Sequence, residues 1–402
     1  MITSYLDWAI LAVLVFAYGL VAGRLKQTPL SGAVVFLLTG LILGPAGLGW
    51  LGINVTSENL RTIAELTLAL ILFTDAATAN LPVLRDSRRL PIRLLALGLP
   101  LTILLGMGVA QLLLPALSPV EAAILSVVLA PTDAALGQPV VTNPAVPVAV
   151  REDLSAESGL NDGICVPLLL SLLAMAQKGS GAGDGVLLLG WLFLEQVGLG
   201  LVLGCGLAFL AARCRDLCLR RRWITSDWQP VLAIALPVCC FALAQQLGGS
   251  GFIACFCGGL TFGGLTPQER KQEELVAAEA TADVLSLLTW VAFGSAVVAL
   301  SFPQLSATTL LDGLFSLTLV RMVPVALATF GLRIGLWTTL FVGWFGPRGL
   351  ASIVFGLLVL DSPLVHGSTI ASIAASTVLL SIAAHGLSAL GLVTRYGRVS
   401  RS

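Results

Sequence analysis

Of the 402 residues, 57% are hydrophobic and 11% charged, against about 25% charged in an ordinary soluble domain, and the mean hydropathy of +0.96 leaves a water-soluble fold no means of hiding its apolar surface. Lys+Arg and Asp+Glu are both 22, a balance that lacks the basic footprint a nucleic-acid-binding protein needs. Cys165, Cys205, Cys214, Cys218, Cys239, Cys240, Cys255 and Cys257 lie almost all in apolar runs without zinc-ligand spacing, so they read as small apolar fillers.

A bilayer core of about 30 Å asks for about 20 apolar residues per helix, and on that template the chain divides into about thirteen spans. The first, 5–23, has no basic residue before it and no small-residue cleavage signature after it, so it reads as a span and not a removed signal peptide. Next come 29–47, 60–79, 91–114, 121–137 and 153–175. The segment 186–212 follows, then 229–247, a short Gly-rich 251–264, 276–300, 307–330, 336–360 and 369–392. No soluble domain is expected after the last span.

Basic residues segregate onto alternate connections. Arg24, Lys26, Arg85, Arg88, Arg89, Arg93, Arg151, Arg213, Arg215, Arg220, Arg221 and Arg222 fall on one side, together with Arg270, Lys271, Arg333, Arg395, Arg398 and Arg401. The other side holds Arg61 and Lys178. Because cytoplasmic loops carry the Lys and Arg excess, the amino terminus is expected outside and the carboxyl terminus in the cytoplasm. Arg321 and Arg348 remain inside apolar segments.

The fifth span is interrupted by Ala130, Pro131, Thr132 and Asp133, and the twelfth by the run from Gly343 through Phe345, Gly346, Pro347 and Arg348 to Gly349. An offset of seven spans gives the two broken helices opposite directions, as in inverted repeats whose interrupted helices cross near the midplane. The alternative is a pair of unrelated proline kinks. The fold expected is therefore all-α, with about thirteen transmembrane helices and two crossed broken ones.

An ionisable side chain at the bilayer centre costs about 2.5 to 3.5 kcal/mol, so the run Glu157, Ser158, Gly159, Leu160, Asn161, Asp162 in the sixth span calls for a function. Residues four apart share a helix face, which places Ser158 with Asp162 and Glu157 with Asn161. The first stripe is assigned to a transported ion: the Asp162 carboxylate and Ser158 hydroxyl face Asp133, the Thr132 hydroxyl and freed carbonyls of the broken fifth helix, an all-oxygen set suited to a hard monovalent cation. The second stripe needs a counter-charge, and Arg321 in the eleventh span, with no acid beside it, is the candidate partner of Glu157. Arg348 either balances helix-end dipoles, holds Asp133 ionised, or snorkels. Asp75, at the end of the third span, either adds an oxygen to the cation path or faces the cytoplasmic interface. His366 and His385 read as bystanders of the last helix.

At these residues the sequence resembles the cation/proton antiporter superfamily, specifically NhaP-type sodium/proton antiporters and the eukaryotic sodium/hydrogen exchangers. The likeness covers nearly the whole chain. It rests on Thr132 and Asp133 in a broken helix, Glu157 and Ser158 leading to Asn161 and Asp162, Arg321, and the run Gly346, Pro347, Arg348, Gly349. The resemblance implies a homodimer in a cell inner membrane, with a scaffold at about 1–80 and 229–300, a moving core at about 91–176 and 307–394, a linker helix at about 186–212, and elevator-like alternating access. It implies that the cation sits at Asp162, Asp133, Ser158 and Thr132, that Glu157 and Arg321 form the bridge, and that Asn before the site Asp goes with electroneutral exchange. No cofactor is implied. The chain departs from many relatives in having Thr74 between Phe73 and the third-span acid.

The expected mechanism is competition: Asp162 binds a proton or a partly dehydrated Na+ (alternatively Li+ or K+), and only the occupied site crosses. A cation channel or symporter of the same fold is the alternative within transport. An intramembrane aspartyl protease using Asp133 and Asp162 is the alternative outside it, but neither acid ends a Gly-x-Gly-Asp run. His-Glu-x-x-His zinc chemistry is absent from the sequence.

Overall fold

The computed structural model describes residues 5–25, 31–52, 58–79, 89–133, 136–141, 143–178, 182–298, 306–332 and 334–399. Among them every regular element is helical and none is a strand, as a chain whose backbone must satisfy its own hydrogen bonds in lipid requires. In chain order these are α1 Tyr5–Leu25, α2 Gly32–Leu43, α3 Glu58–Thr78, α4 Arg89–Leu113, α5 Pro119–Leu129, α6 Val148–Lys178, α7 Ala182–Arg220, α8 Gln229–Gln246 and α9 Gly251–Leu265. They continue with α10 Gln268–Ala292, α11 Ala307–Thr329, α12 Leu336–Trp344, α13 Leu350–Leu360 and α14 Gly367–Val399. Eight of them, α1, α4, α6, α7, α8, α10, α11 and α14, are by length and composition able to cross a membrane alone. The protein is a multi-pass membrane protein.

Several starts are set by hydroxyl caps. Ser31, Ser250 and Ser306 accept from the backbone N–H three residues on, and Ser118 forms a reciprocal capping box with Glu121; each satisfies donors the first turn would otherwise leave orphaned. Gly248 and Gly331 follow α8 and α11 with φ of +80°, the left-handed geometry in which glycine ends a helix without strain.

The helices group into two units. The first comprises Met1–Arg61, Val83–Asn161 and Leu287–Ser402. In it, α2 lies against the π-helical turn Phe293–Val298 so closely that a Cβ on Gly40 would overlap the Val291 carbonyl and one on Gly294 the Leu37 carbonyl. The innermost helices are α5 and α13, apolar all round and buried over nearly their whole length, which is how a helix surrounded by other helices reads. The second unit comprises Thr62–Pro82 and Asp162–Ser286. Its centre is α9, whose glycines let neighbouring backbones approach: Gly259 and Gly263 meet the Phe73 and Ala77 carbonyls of α3, and Ala254 meets Gly204 of α7.

Hydropathy locates the spans but misplaces several ends. α6 begins at Val148 where the apolar run begins at 153, and α7 continues to Arg220, so Arg213, Arg215 and Arg220 stand on a helix and not in a loop. At about 1.5 Å per residue α7 is about 58 Å long, and the bilayer constrains only its apolar middle. Arg215 is buried, donating to Glu274 at 2.7 Å and Thr266 at 2.8 Å. In the twelfth span Gly343 and Trp344 remain helical, and the break is limited to Phe345–Gly349. Lys26, Arg85, Arg88, Arg333, Arg401 and the side chain of Lys178 lie outside the described residues.

Candidate functional site

The site is built where α5 stops. Leu129 is the last helical residue, and Pro131 has no N–H with which to continue the ladder, so Pro131, Thr132 and Asp133 leave the helix without regular structure. The stretch between α12 and α13 does the same at Phe345–Gly349. The two breaks cross: the Asp133 amide donates to the Pro347 carbonyl at 2.8 Å.

Each break caps the other helix. The Leu350 amide, first in α13, donates to Asp133 Oδ2 at 2.8 Å, and Leu136 N donates to Oδ1 at 3.1 Å, so a carboxylate sits on the positive end of α13. Arg348, fully buried at 0% exposure, donates through Nη1 to the Ala130 and Pro131 carbonyls at 3.1 and 3.3 Å. Those carbonyls are at the negative end of α5, where a cation is favourable. The glycines of Gly346-Pro347-Arg348-Gly349 have steric reasons: a Cβ at Gly349 would occupy the Asp133 carboxylate, and one at Gly346 would press on the Arg321 guanidinium and Thr132.

α6 supplies the facing wall. Glu157, Ser158 and Asn161 are all at most 5% exposed. Ser158 donates its hydroxyl to the Thr132 carbonyl. Asn161 donates to Thr132 Oγ1 at 2.8 Å and accepts from the Thr132 amide at 3.3 Å. Although Asn161 lies nearer Glu157 around the helix, its amide bonds Thr132 at the fifth-helix break, beside Ser158, and not the Glu157–Arg321 pair. Glu157 there meets Arg321 of α11 in a two-pronged ion pair, with Nη2 2.8 Å from Oε2. Thr132, Asp133, Ser158, Phe345 and Pro347 line a recess of about 10 Å³, room for roughly one water-sized occupant. Asp162 stands one turn beyond Ser158 on α6 and is 9% exposed. Asp75 is exposed on the last turn of α3, and Thr74 beside it is buried with its hydroxyl on the Leu70 carbonyl.

Asp312 escaped the sequence reading, and the two histidines read there as bystanders make specific contacts. Asp312, 4% exposed in α11, borders a second recess of about 10 Å³ with Thr102, Ser126 and Ser316; an acid amid the apolar run 307–330 was the available signal. His385 Nε2 donates to the Trp344 carbonyl at 2.8 Å, capping the end of α12. His366 Nδ1 lies 3.1 Å from both Glu121 oxygens, tying the start of α5 to the start of α14. Nothing in the residue spacing signalled either contact.

The family described as "Sodium/hydrogen exchanger, transmembrane" matches residues 10–394. Among curated proteins the chain is 24% identical over 330 residues to the K+/H+ antiporter NhaP of Alkalimonas amylolytica, covering 81% of this chain and 55% of the relative. It is 26% identical to a probable Na+/H+ antiporter of Schizosaccharomyces pombe, covering 84% and 46%. The chain thus spans about half the length of these relatives. Its fold is that of the sodium proton antiporter MjNhaP1 of Methanocaldococcus jannaschii, with a TM-score of 0.76 and 20% identity over 95% of this chain and 98% of that one.

Proposed function

The chain belongs to the sodium/hydrogen exchanger transmembrane family, and from that premise we propose that it is a secondary antiporter exchanging a monovalent cation for H+ across a cell inner membrane. The observation that carries the reading is the recess at the crossed breaks, where Thr132, Asp133 and Ser158 gather oxygen atoms beside α6. Asp162, on the same face of α6 as Ser158, takes the proton and the cation in turn. Asp133, whose carboxylate takes the Leu350 and Leu136 amides, serves both as cap and as ligand. Glu157 and Arg321 act as a fixed strut, and Asp75 as an accessory oxygen.

Na+ is the proposed cargo, with K+ or Li+ as the alternative; the K+ reading is favoured by the name of one relative and the Na+ reading by the name of another. The assembly proposed is a homodimer, amino terminus outside, in which a core of about 91–176 and 307–394 moves against a scaffold of about 1–80 and 229–300. The reciprocal caps support an elevator step, because they make the crossed segment one rigid piece. In proteoliposomes carrying a pH gradient, wild-type protein is expected to collapse the gradient on addition of an alkali cation, and Asp162→Asn to abolish that response while the purified protein retains its unfolding temperature. Cation-dependent collapse by the Asn variant would overturn the role of Asp162. Running Na+, K+ and Li+ in parallel identifies the cargo.

A further inference from the structure

The first unit holds a cavity, separate from the recess at the crossed breaks, that the proposed transport cycle does not use. It opens between Met322 of α11, Trp337, Phe341 and Trp344 of α12, and Leu392 and Tyr396 of α14, with a volume of about 360 Å³, within the range of small-ligand sites. Its polar atoms are turned into the protein. Tyr396 Oη bonds Thr338 Oγ1 at 3.0 Å, Trp344 Nε1 donates to Ser388 Oγ at 2.9 Å, and the Tyr396 ring stacks on Phe341 with centroids 4.1 Å apart. What remains facing the groove is hydrocarbon.

The rim is different. Arg395 lies with its guanidinium 5.2 Å from the Trp337 ring, and among the described residues it has no carboxylate or hydrogen-bond partner. No Asp or Glu occurs between Asp312 and Asp361 or after Asp361, so the helices forming the groove offer this arginine and Arg398 no acid from Asp361 onward. α14 has 33 residues, about 50 Å at 1.5 Å each, against about 30 Å of hydrocarbon; Arg395, four residues from its end, therefore stands at headgroup depth, with the exposed Trp337 placed like an interfacial aromatic.

We propose that this groove binds an anionic phospholipid, with an acyl chain between α11, α12 and α14 and the phosphate on Arg395. An unpaired guanidinium with five donors above an apolar slot matches that molecule end for end. A neutral acyl chain or zwitterionic lipid would use the slot but leave the net positive rim unbalanced. The inference is independent of which ion is exchanged.

The test is native mass spectrometry of the full chain in detergent, with phosphatidylglycerol and phosphatidylcholine of identical acyl chains supplied at equal concentration. Wild-type protein is expected to retain phosphatidylglycerol preferentially. Arg395→Gln should lower that retention about fivefold, to the phosphatidylcholine level, since one basic residue at an anionic surface is worth about 1 kcal/mol. Leu392→Trp, which fills the slot, should lower it without touching the charge. Equal retention of both lipids by wild type, or unchanged phosphatidylglycerol binding in Arg395→Gln, overturns the proposal. So does a Leu392→Trp protein that changes its monomer-to-dimer ratio and keeps its lipid, because the groove would then be a contact with a second copy. Should the Trp variant fail to fold, Arg395→Gln decides alone.

Discussion

The side chains of Glu157 and Arg321 are 4% and 6% exposed, and Nη1 and Nη2 of the guanidinium each meet their own carboxylate oxygen. Removing one partner strands the other charge in a dry interior, at a cost of about 3 to 5 kcal/mol. Glu157→Gln is therefore expected to lower the unfolding temperature in detergent sharply, and Glu157→Leu combined with Arg321→Met to lose much less; a single variant as stable as wild type would show that the pair is not what holds α6 to α11. The pairing was legible in the sequence because Arg321 had no local acid and Glu157 no ligand stripe to join. The role of Asn161 was not, because on a helix it stands about 40° from Glu157 and about 60° from Ser158, and only the position of Thr132 decides between them. Asp312 was visible as a lone acid in the apolar run 307–330, but a single carboxylate carries no spacing that points to its neighbours.

At the scale of the element, Pro131 and the glycine-rich run at 343–349 marked both interruptions, and the offset between them marked their opposite directions. The caps could not be read in the same way: Leu350 and Asp133 are 217 residues apart, and no local spacing announces that one break's acid will sit on the other break's helix. The glycine at 349 has a specific consequence. A methyl group there would displace the Asp133 carboxylate, so Gly349→Ala is expected to cost about 1 to 3 kcal/mol by overpacking and to reduce exchange. The checks are the unfolding temperature and the initial rate of gradient collapse. Gly108, whose Cβ would meet nothing within 4 Å, provides the control: Gly108→Ala should leave both readings near wild type.

For the whole molecule, hydropathy was enough to find the spans, because each apolar run must match a slab of fixed thickness. It was not enough to find their ends, because α6 and α7 run on as helix beyond their apolar runs, where Arg215 pairs with Glu274. On the proposed antiport reading transport is expected to be electroneutral, because the family resemblance links an Asn before the site Asp, here Asn161, to one-for-one exchange. A potassium/valinomycin clamp on the proteoliposomes should then leave the rate of Na+-driven gradient collapse unchanged at zero and at imposed voltage; acceleration by voltage would mean that net charge crosses with each cycle.

The reciprocal caps also bear on how the chain is made. Residue 133 leaves the ribosome 217 residues before the amide it holds, and the α5 carbonyls precede their arginine by 218, roughly 10 to 45 s at 5 to 20 residues per second. Throughout that interval Asp133 lacks the Leu350 amide and the α5 carbonyls lack their arginine. A nascent chain stalled before the second half arrives is thus an unfinished joint, a natural substrate for membrane chaperones and quality-control proteases.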